Sequence, residues 1–253
     1  MEKGKQNQSQ NPATEGLPKA ADEDSAGSSY RDIRRACEVL FEPGSVVELR
    51  AFKGPKTISG YFDEHGVLAQ EAAKLDSRGF ATYVSLNEVE PALLARAANR
   101  AREVGKGNPT TSDTDITRRR WLPLDFDPIR PSGVSATDEE KKAALLRAWE
   151  VRDYLREQGW PEPVGSDSGN GAHLLYRVDL PNDRESLELI KDVLEALDFK
   201  FSDQVVDVDT TTSNAARVWK LYGTIACKGD HTVERPHRRS RLLEVPERTA
   251  TWK

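Results

Sequence analysis

Cysteine is scarce in this chain, with Cys37 and Cys227 alone among 253 residues. No disulfide framework can hold it together, and the lack of any C-x-x-C or H-x-x-x-H spacing argues against a structural zinc site. Long hydrophobic runs are missing too. The longest uncharged apolar stretches are a few residues, against the roughly 20 a bilayer-spanning helix needs, and no apolar block near the N-terminus resembles a signal peptide. These absences predict a cytoplasmic protein with no membrane partner. No G-x-x-x-x-G-K-[ST] occurs, and Lys53-Gly54-Pro55-Lys56-Thr57 does not supply one, so the chain has no P-loop motor. Aromatic residues are 7% of the total, several at apparent core positions, which disfavours a module that binds single strands by stacking. A large excess of one charge is also absent. The net charge of −5 argues against wholesale coating of nucleic acid but leaves room for a local basic groove.

What is present is a soluble composition, 37% hydrophobic and 31% charged, long enough for one large domain or two lobes sharing a core. Residues 1–29 contain no aromatic and no β-branched aliphatic residue and read as a disordered tail. From Tyr30 to Asp115 the pattern predicts an α/β lobe. Its elements are a helix over 30–40, strands over 45–52 and 57–62, a helix over 67–75, a strand over 81–86 and a helix from Pro91 to about Arg102.

The second half, 116–253, is more informative. Arg118 to Asp127 alternates, with Leu122, Leu124 and Phe126 on one face and Pro123, Asp125 and Asp127 on the other. A helix follows, opened by the capping box Thr137-x-x-Glu140 and striped by Ala144, Ala148, Val151 and Leu155. Strands over 163–167 and 172–178 flank the turn Ser168-Gly169-Asn170-Gly171, then come a helix carrying Leu187, Ile190, Leu194 and Leu197, and a strand over 204–209. This β-α-β-β-α-β order is the one ferredoxin-like folds use, and it predicts an α+β protein.

Three clusters could carry chemistry. Asp125 and Asp127, at i and i+2 on a strand, point the same way and suit hard divalent cations, although a short D-x-D is more often an exposed sheet face. The Ser168-Gly169-Asn170-Gly171-Ala172-His173 stretch combines glycines that allow close backbone approach with hydroxyl and imidazole donors suited to a triphosphate. Its bland alternative is a plain turn and a packed core histidine. Asp207-Val208-Asp209, where periodicity cannot choose between the two carboxylates, precedes Arg217, Lys220 and Lys228, cations suited to phosphates. The stretch from Lys228 to Arg241 adds a local charge of +3, and with Arg118 to Arg120 it could form a backbone-binding wall.

Taken together, D-x-D, then S-G-x-G-x-H, then a strand aspartate before R-x-x-K-L-x-G-T resembles the three-motif signature of the archaeo-eukaryotic primase superfamily, in particular its bacterial, phage and plasmid primase-polymerase members. The resemblance covers roughly residues 57–241, including Gly60-Tyr61-Phe62-Asp63 and Tyr83-Val84-Ser85-Leu86-Asn87. It implies an RRM-like catalytic lobe packed on an N-terminal α/β lobe, with template and incoming nucleotide in the cleft between them. It further implies a DNA-dependent nucleotidyltransferase that synthesises primers on single-stranded DNA from NTP or dNTP, with a separate replicative helicase as partner. Asp125, Asp127 and Asp209 match the metal ligands, with Asp207 the runner-up for the third. Ser168, Gly169, Gly171, His173, Arg217, Lys220 and Lys228 match the nucleotide-binding residues, and Arg130 has weaker support. The expected cofactors are two Mg²⁺ or Mn²⁺ ions; the zinc knob of some primases has no ligands here. The rival readings are a metal-dependent nuclease and a non-catalytic replication initiator or single-strand-binding module.

Overall fold

The computed structural model describes residues 21–247 apart from 106 and 108, so the tail expected over 1–29 lies outside the described residues as far as residue 20. The first helix, α1 (Ala21–Leu40), begins nine residues before the helix expected from Tyr30. Its Ser29 is buried and donates a hydrogen bond to the carbonyl of Gly223 at 3.2 Å. Next come β1 (Val47–Lys53), β2 (Lys56–Phe62), α2 (His65–Ser77), β3 (Ala81–Ser85) and β4 (Glu88–Val89).

The helix expected over 91–102 is instead a 3₁₀ turn, Pro91–Arg96, followed by β5 (Arg102–Glu103). Only Leu93 of the turn is buried, too little apolar surface to hold a longer helix. Asn99 then breaks the chain direction at φ 48°, its side-chain oxygen accepting from the amides of Asp63 and Glu64 at 3.2 Å each.

The remaining elements are β6 (Ile116–Pro128), α3 (Asp138–Glu157), β7 (Val164–Asp167), β8 (Ala172–Pro181), α4 (Arg184–Phe201), β9 (Val206–Val208), β10 (Val218–Lys220), β11 (Ile225–Ala226), β12 (Arg238–Arg239) and β13 (Arg241–Glu244). One sheet is ordered β10-β3-β1-β2-β5. The other is ordered β13-β7-β8-β6-β4, with β9 also pairing with β6, and β11 pairs with β12; every ladder is antiparallel. Within the second sheet β7, β8, β6 and β9 lie side by side, connected through α3 and α4, in a mixed α+β arrangement.

The helices cover one face of that sheet. Thr137 and Glu140 close the capping box at 3.2 and 2.9 Å, and Ala144, Ala148, Val151 and Leu155 pack with Leu122, Leu124 and Phe126. On α4 the buried positions are Ser186, Ile190, Leu194, Leu197 and Phe201, while Leu187 is only half-buried. The other face, through Trp121, Val164 and Leu175, joins a core built from α1, α2 and the first sheet. Trp121 Nε1 donates to the carbonyl of Leu40 at 3.0 Å.

The two sheets also exchange strands across the 115/116 boundary taken from the sequence. β4 precedes it yet pairs with β6, and β10 follows it yet forms an edge of the first sheet beside β3. Among the described residues no helix is long and apolar enough to cross a membrane.

Candidate active site

The end of β6 fixes the acidic wall of a cleft of about 300 Å³. Leu124 and Phe126 are anchored in the core, so alternation turns Asp125 and Asp127 together toward the opposite face, where both line the cleft. The lining also includes Ser168 and Asn170 from the β7–β8 connection, His173 from the start of β8, Tyr83 from β3, Arg217 to Lys220 around β10, and Cys227 and Lys228. Residues from both sheets therefore meet here, which is the practical result of β10 joining the first sheet.

The β7–β8 connection is the four-residue turn Ser168 to Gly171, as the sequence leads one to expect, and its own polar groups shape it. Asp167 accepts from the amide of Gly169 at 2.7 Å, and Ser168 Oγ accepts from the amide of Gly171 at 2.8 Å. Asp167, almost fully buried, is itself held by Lys141 at 2.7 Å. Two glycines allow the fit. A Cβ on Gly171 would sit 2.2 Å from the carbonyl oxygen of Phe126, and Gly169 has φ +96° with Ala226 2.6 Å from its would-be Cβ. Asn170 accepts from the amide of Ala136 at 2.9 Å, which ties the loop to the segment entering α3.

His173 lies directly across from Asp125 in the β6–β8 ladder. It is buried yet faces the cleft, with Nε2 3.4 Å from Asp125 Oδ1 and Nδ1 2.9 Å from the hydroxyl of Tyr222. Of the two ring edges, one is packed against Tyr222 and Trp219 and the other faces the cleft.

Charge is distributed unevenly between the two carboxylates. Burial pushes the carboxyl of Asp127 up, reinforced by repulsion from Asp125 and opposed by Lys228 and Arg130. Burial acts the same way on Asp125, but its interaction with His173, together with Lys228 and Arg217, outweighs it and holds this carboxyl below its ordinary range. Lys228 Nζ lies 4.0 Å from Asp127, and Arg130 contacts the same carboxylate at 3.4 Å while donating to the carbonyl of Pro128 at 3.0 Å. Lys220 is buried, donates to the carbonyl of Ile225 at 2.7 Å and is pushed down to about 8, chiefly by desolvation.

The third acidic position is the exception. Asp209 is next to Asp125 through the backbone, its amide donating to the Asp125 carbonyl at 2.9 Å. Its carboxylate, however, accepts from the amide of Thr211 at 2.7 Å and pairs with Arg217 at 3.2 Å, and it does not line the cleft. Asp207 stands directly opposite Asp127 across β6–β9 and lines an adjoining groove with Arg130 and Lys228. Its carboxyl is raised by burial and then by the neighbouring acids Asp198, Asp209, Asp127 and Asp125. Among the described residues no group of three His, Cys, Asp or Glu side chains is placed to hold a metal ion.

The donor set nonetheless fits a hard divalent cation at Asp125 and Asp127. Asp125 Oδ1 is a buried oxygen without a hydrogen-bond partner, and a second carboxylate shares its face. Tyr83, Trp219, Tyr222, Asn170 and Cys227 were not expected from the sequence as site residues. Tyr83 belongs to the N-terminal half and reaches the cleft only because β3 pairs with β10, a contact with no local sequence signal.

No protein-family model and no curated protein matches the chain. Its fold is similar to the crystal structure of primase RepB′ with a TM-score of 0.48 and 12% sequence identity, over 88% of this chain and 58% of that one.

Proposed function

We propose that the cleft is the nucleotidyl-transfer site of a DNA primase or primase-polymerase, which joins NTP or dNTP on a single-stranded DNA template. The observation that carries this reading is the meeting of two side-by-side carboxylates, one with an unpartnered buried oxygen, with Arg217, Lys220, Lys228, Ser168 and His173 around one cleft. Clustered acids alone suit many hydrolases; the cations and the glycine loop beside them suit a polyphosphate. In this reading residues 116–253 hold an RRM-like catalytic lobe, and a separate replicative helicase supplies unwound template.

Asp125 and Asp127 would hold two Mg²⁺ or Mn²⁺ ions, with Asp209 as third ligand once it releases Thr211 and Arg217. When bound, such ions lower the pKa of an attacking 3′-hydroxyl and neutralise the leaving pyrophosphate. The chain's own residues orient the substrate. Ser168 Oγ–H and His173 Nε2–H donate to the triphosphate, and Arg217, Lys220 and Lys228 offset its charge. No covalent nucleophile is needed.

The test is primer synthesis on a circular single strand, with NTP or dNTP and Mg²⁺ or Mn²⁺. Wild-type protein is expected to yield labelled products, and the Asp125→Ala/Asp127→Ala double variant none, with its fold retained. A labelled linear strand shortened in Mn²⁺ without nucleotides would identify a nuclease instead. Strand binding with neither reaction would identify a binding module.

A further inference from the structure

We propose that Tyr222 is a positioning residue that fixes His173 as the Nε2–H tautomer, so that this N–H lies on the ring edge that faces the cleft beside Asp125. The pattern R-x-x-K-L-x-G-T leaves positions 219 and 222 open, and both prove to be polar aromatics wrapped around the histidine. Trp219 Nε1 lies 2.9 Å from the hydroxyl of Tyr222, and that hydroxyl lies 2.9 Å from His173 Nδ1.

Valence fixes the first of these bonds. An indole nitrogen can only donate, so Tyr222 accepts from Trp219 and keeps its single hydrogen for another acceptor. His173 Nδ1, 2.9 Å away, is the acceptor that the proposal assigns to it. A neutral imidazole that accepts at Nδ1 carries its hydrogen on Nε2. Nε2 is also the ring atom 3.4 Å from Asp125 Oδ1.

Burial locks the relay. Tyr222 is 1% exposed, Trp219 3% and His173 4%, so water does not compete for the bonds. The ring centroids of His173 and Trp219 are 4.2 Å apart, which restrains the imidazole against flipping. The hydroxyl of Ser166, opposite His173 in the β7–β8 ladder, lies near enough to act on the Tyr222 phenol but without hydrogen-bond geometry, so Nδ1 is the better-placed acceptor. Burial also pushes the Tyr222 phenol up, so it stays a donor throughout the neutral range.

Without Tyr222, His173 would be free to place its hydrogen on Nδ1 and present a lone pair to the cleft, where a phosphate oxygen requires a donor. The consequence for catalysis rests on the nucleotide-facing role of His173 proposed above; the tautomer itself does not.

The experiment is Tyr222→Phe and, separately, Trp219→Phe in the full chain, with ¹⁵N-labelled histidine and the His173→Ala spectrum used for assignment. Two-bond ¹H–¹⁵N correlations in chelator report the tautomer without nucleotide or metal. Wild-type protein is expected to show His173 protonated at Nε2 and bare at Nδ1. Tyr222→Phe should give a mixture of tautomers and raise the nucleotide KM by about ten-fold, with kcat changed less and single-strand affinity unchanged. Trp219→Phe, which frees the phenol to rotate, should give a smaller shift in the same direction and serves if Tyr222→Phe fails to fold. A wild-type histidine protonated at Nδ1, or an unchanged Nε2–H signal in the folded variants, overturns the proposal. A protein that shows the lock but adds no nucleotide on any template would sink the nucleotidyl-transfer reading and leave the lock standing.

Discussion

Lys220 shows how burial turns a common surface residue into a tuned one. Desolvation lowers it from an ordinary 10.5 to about 8, and its ammonium is held by the Ile225 carbonyl and by the face of Tyr83, 5.4 Å from the ring centre. The folded pKa lies below the unfolded one, so the fold binds this proton more weakly than the unfolded chain does. The resulting destabilisation is full below pH 8 and fades as pH rises through 8 to 10.5. Thermal melts of Lys220→Met should therefore compare more favourably with wild type at pH 7 than at pH 10.5. An equal difference at both values would show that the lysine titrates normally. The same group should bind a polyphosphate less well as pH climbs past 8, because binding needs the charged form.

At the scale of elements, the β7–β8 loop is the least forgiving part of the site. Gly171→Ala would drive a Cβ into the backbone oxygen of Phe126, one residue from each of Asp125 and Asp127. Neither strand can yield without moving the ladder, so the variant should lose on the order of 1–3 kcal/mol of stability by denaturant unfolding and most of its activity. Unchanged stability would mean that the loop is not seated on β6.

The elements also divide by how legible they were. The alternation of β6, the capping box of α3 and its Ala144–Leu155 stripe are local, and each stands where the sequence puts it. β4 and β10 are two and three residues long, and their partners are chosen by tertiary contact rather than by any periodic pattern. The same distinction holds in the site. Asp125, Asp127, Ser168 and His173 were legible because short motifs carry them. The capping role of Asp209 was not, since an aspartate that ends a strand and one that caps a 3₁₀ turn look alike in sequence.

At the scale of the molecule, distant parts of the chain converge on Asp76 of α2, which is buried. It accepts from the amide of Ile225 at 2.7 Å and from Arg239 at 3.0 Å, while Arg239 also donates to Ser29 Oγ at 2.8 Å and to the carbonyl of Gly223. α1, α2, β11 and β12 are thus cross-linked behind the cleft. Asp76→Ala should cost on the order of 1.5–3 kcal/mol for each charge-assisted bond lost, and Ser29→Ala about 1 kcal/mol, both read by denaturant unfolding. If the contacts act as one network, the double variant should lose less than the sum of the two. Simple additivity would show that Ser29 and Asp76 act independently.

The strand exchange between the sheets bears on how this protein could be taken apart. A chain cut in the 104–112 connection would leave each piece with a sheet missing a strand that only the other piece holds: β10 beside β3, and β4 beside β6. Neither fragment alone would form the cleft, because Tyr83 lies on one and every other lining residue on the other. Co-expressed, the two would complement each other like the halves of a split reporter, and their co-purification would track reassembly.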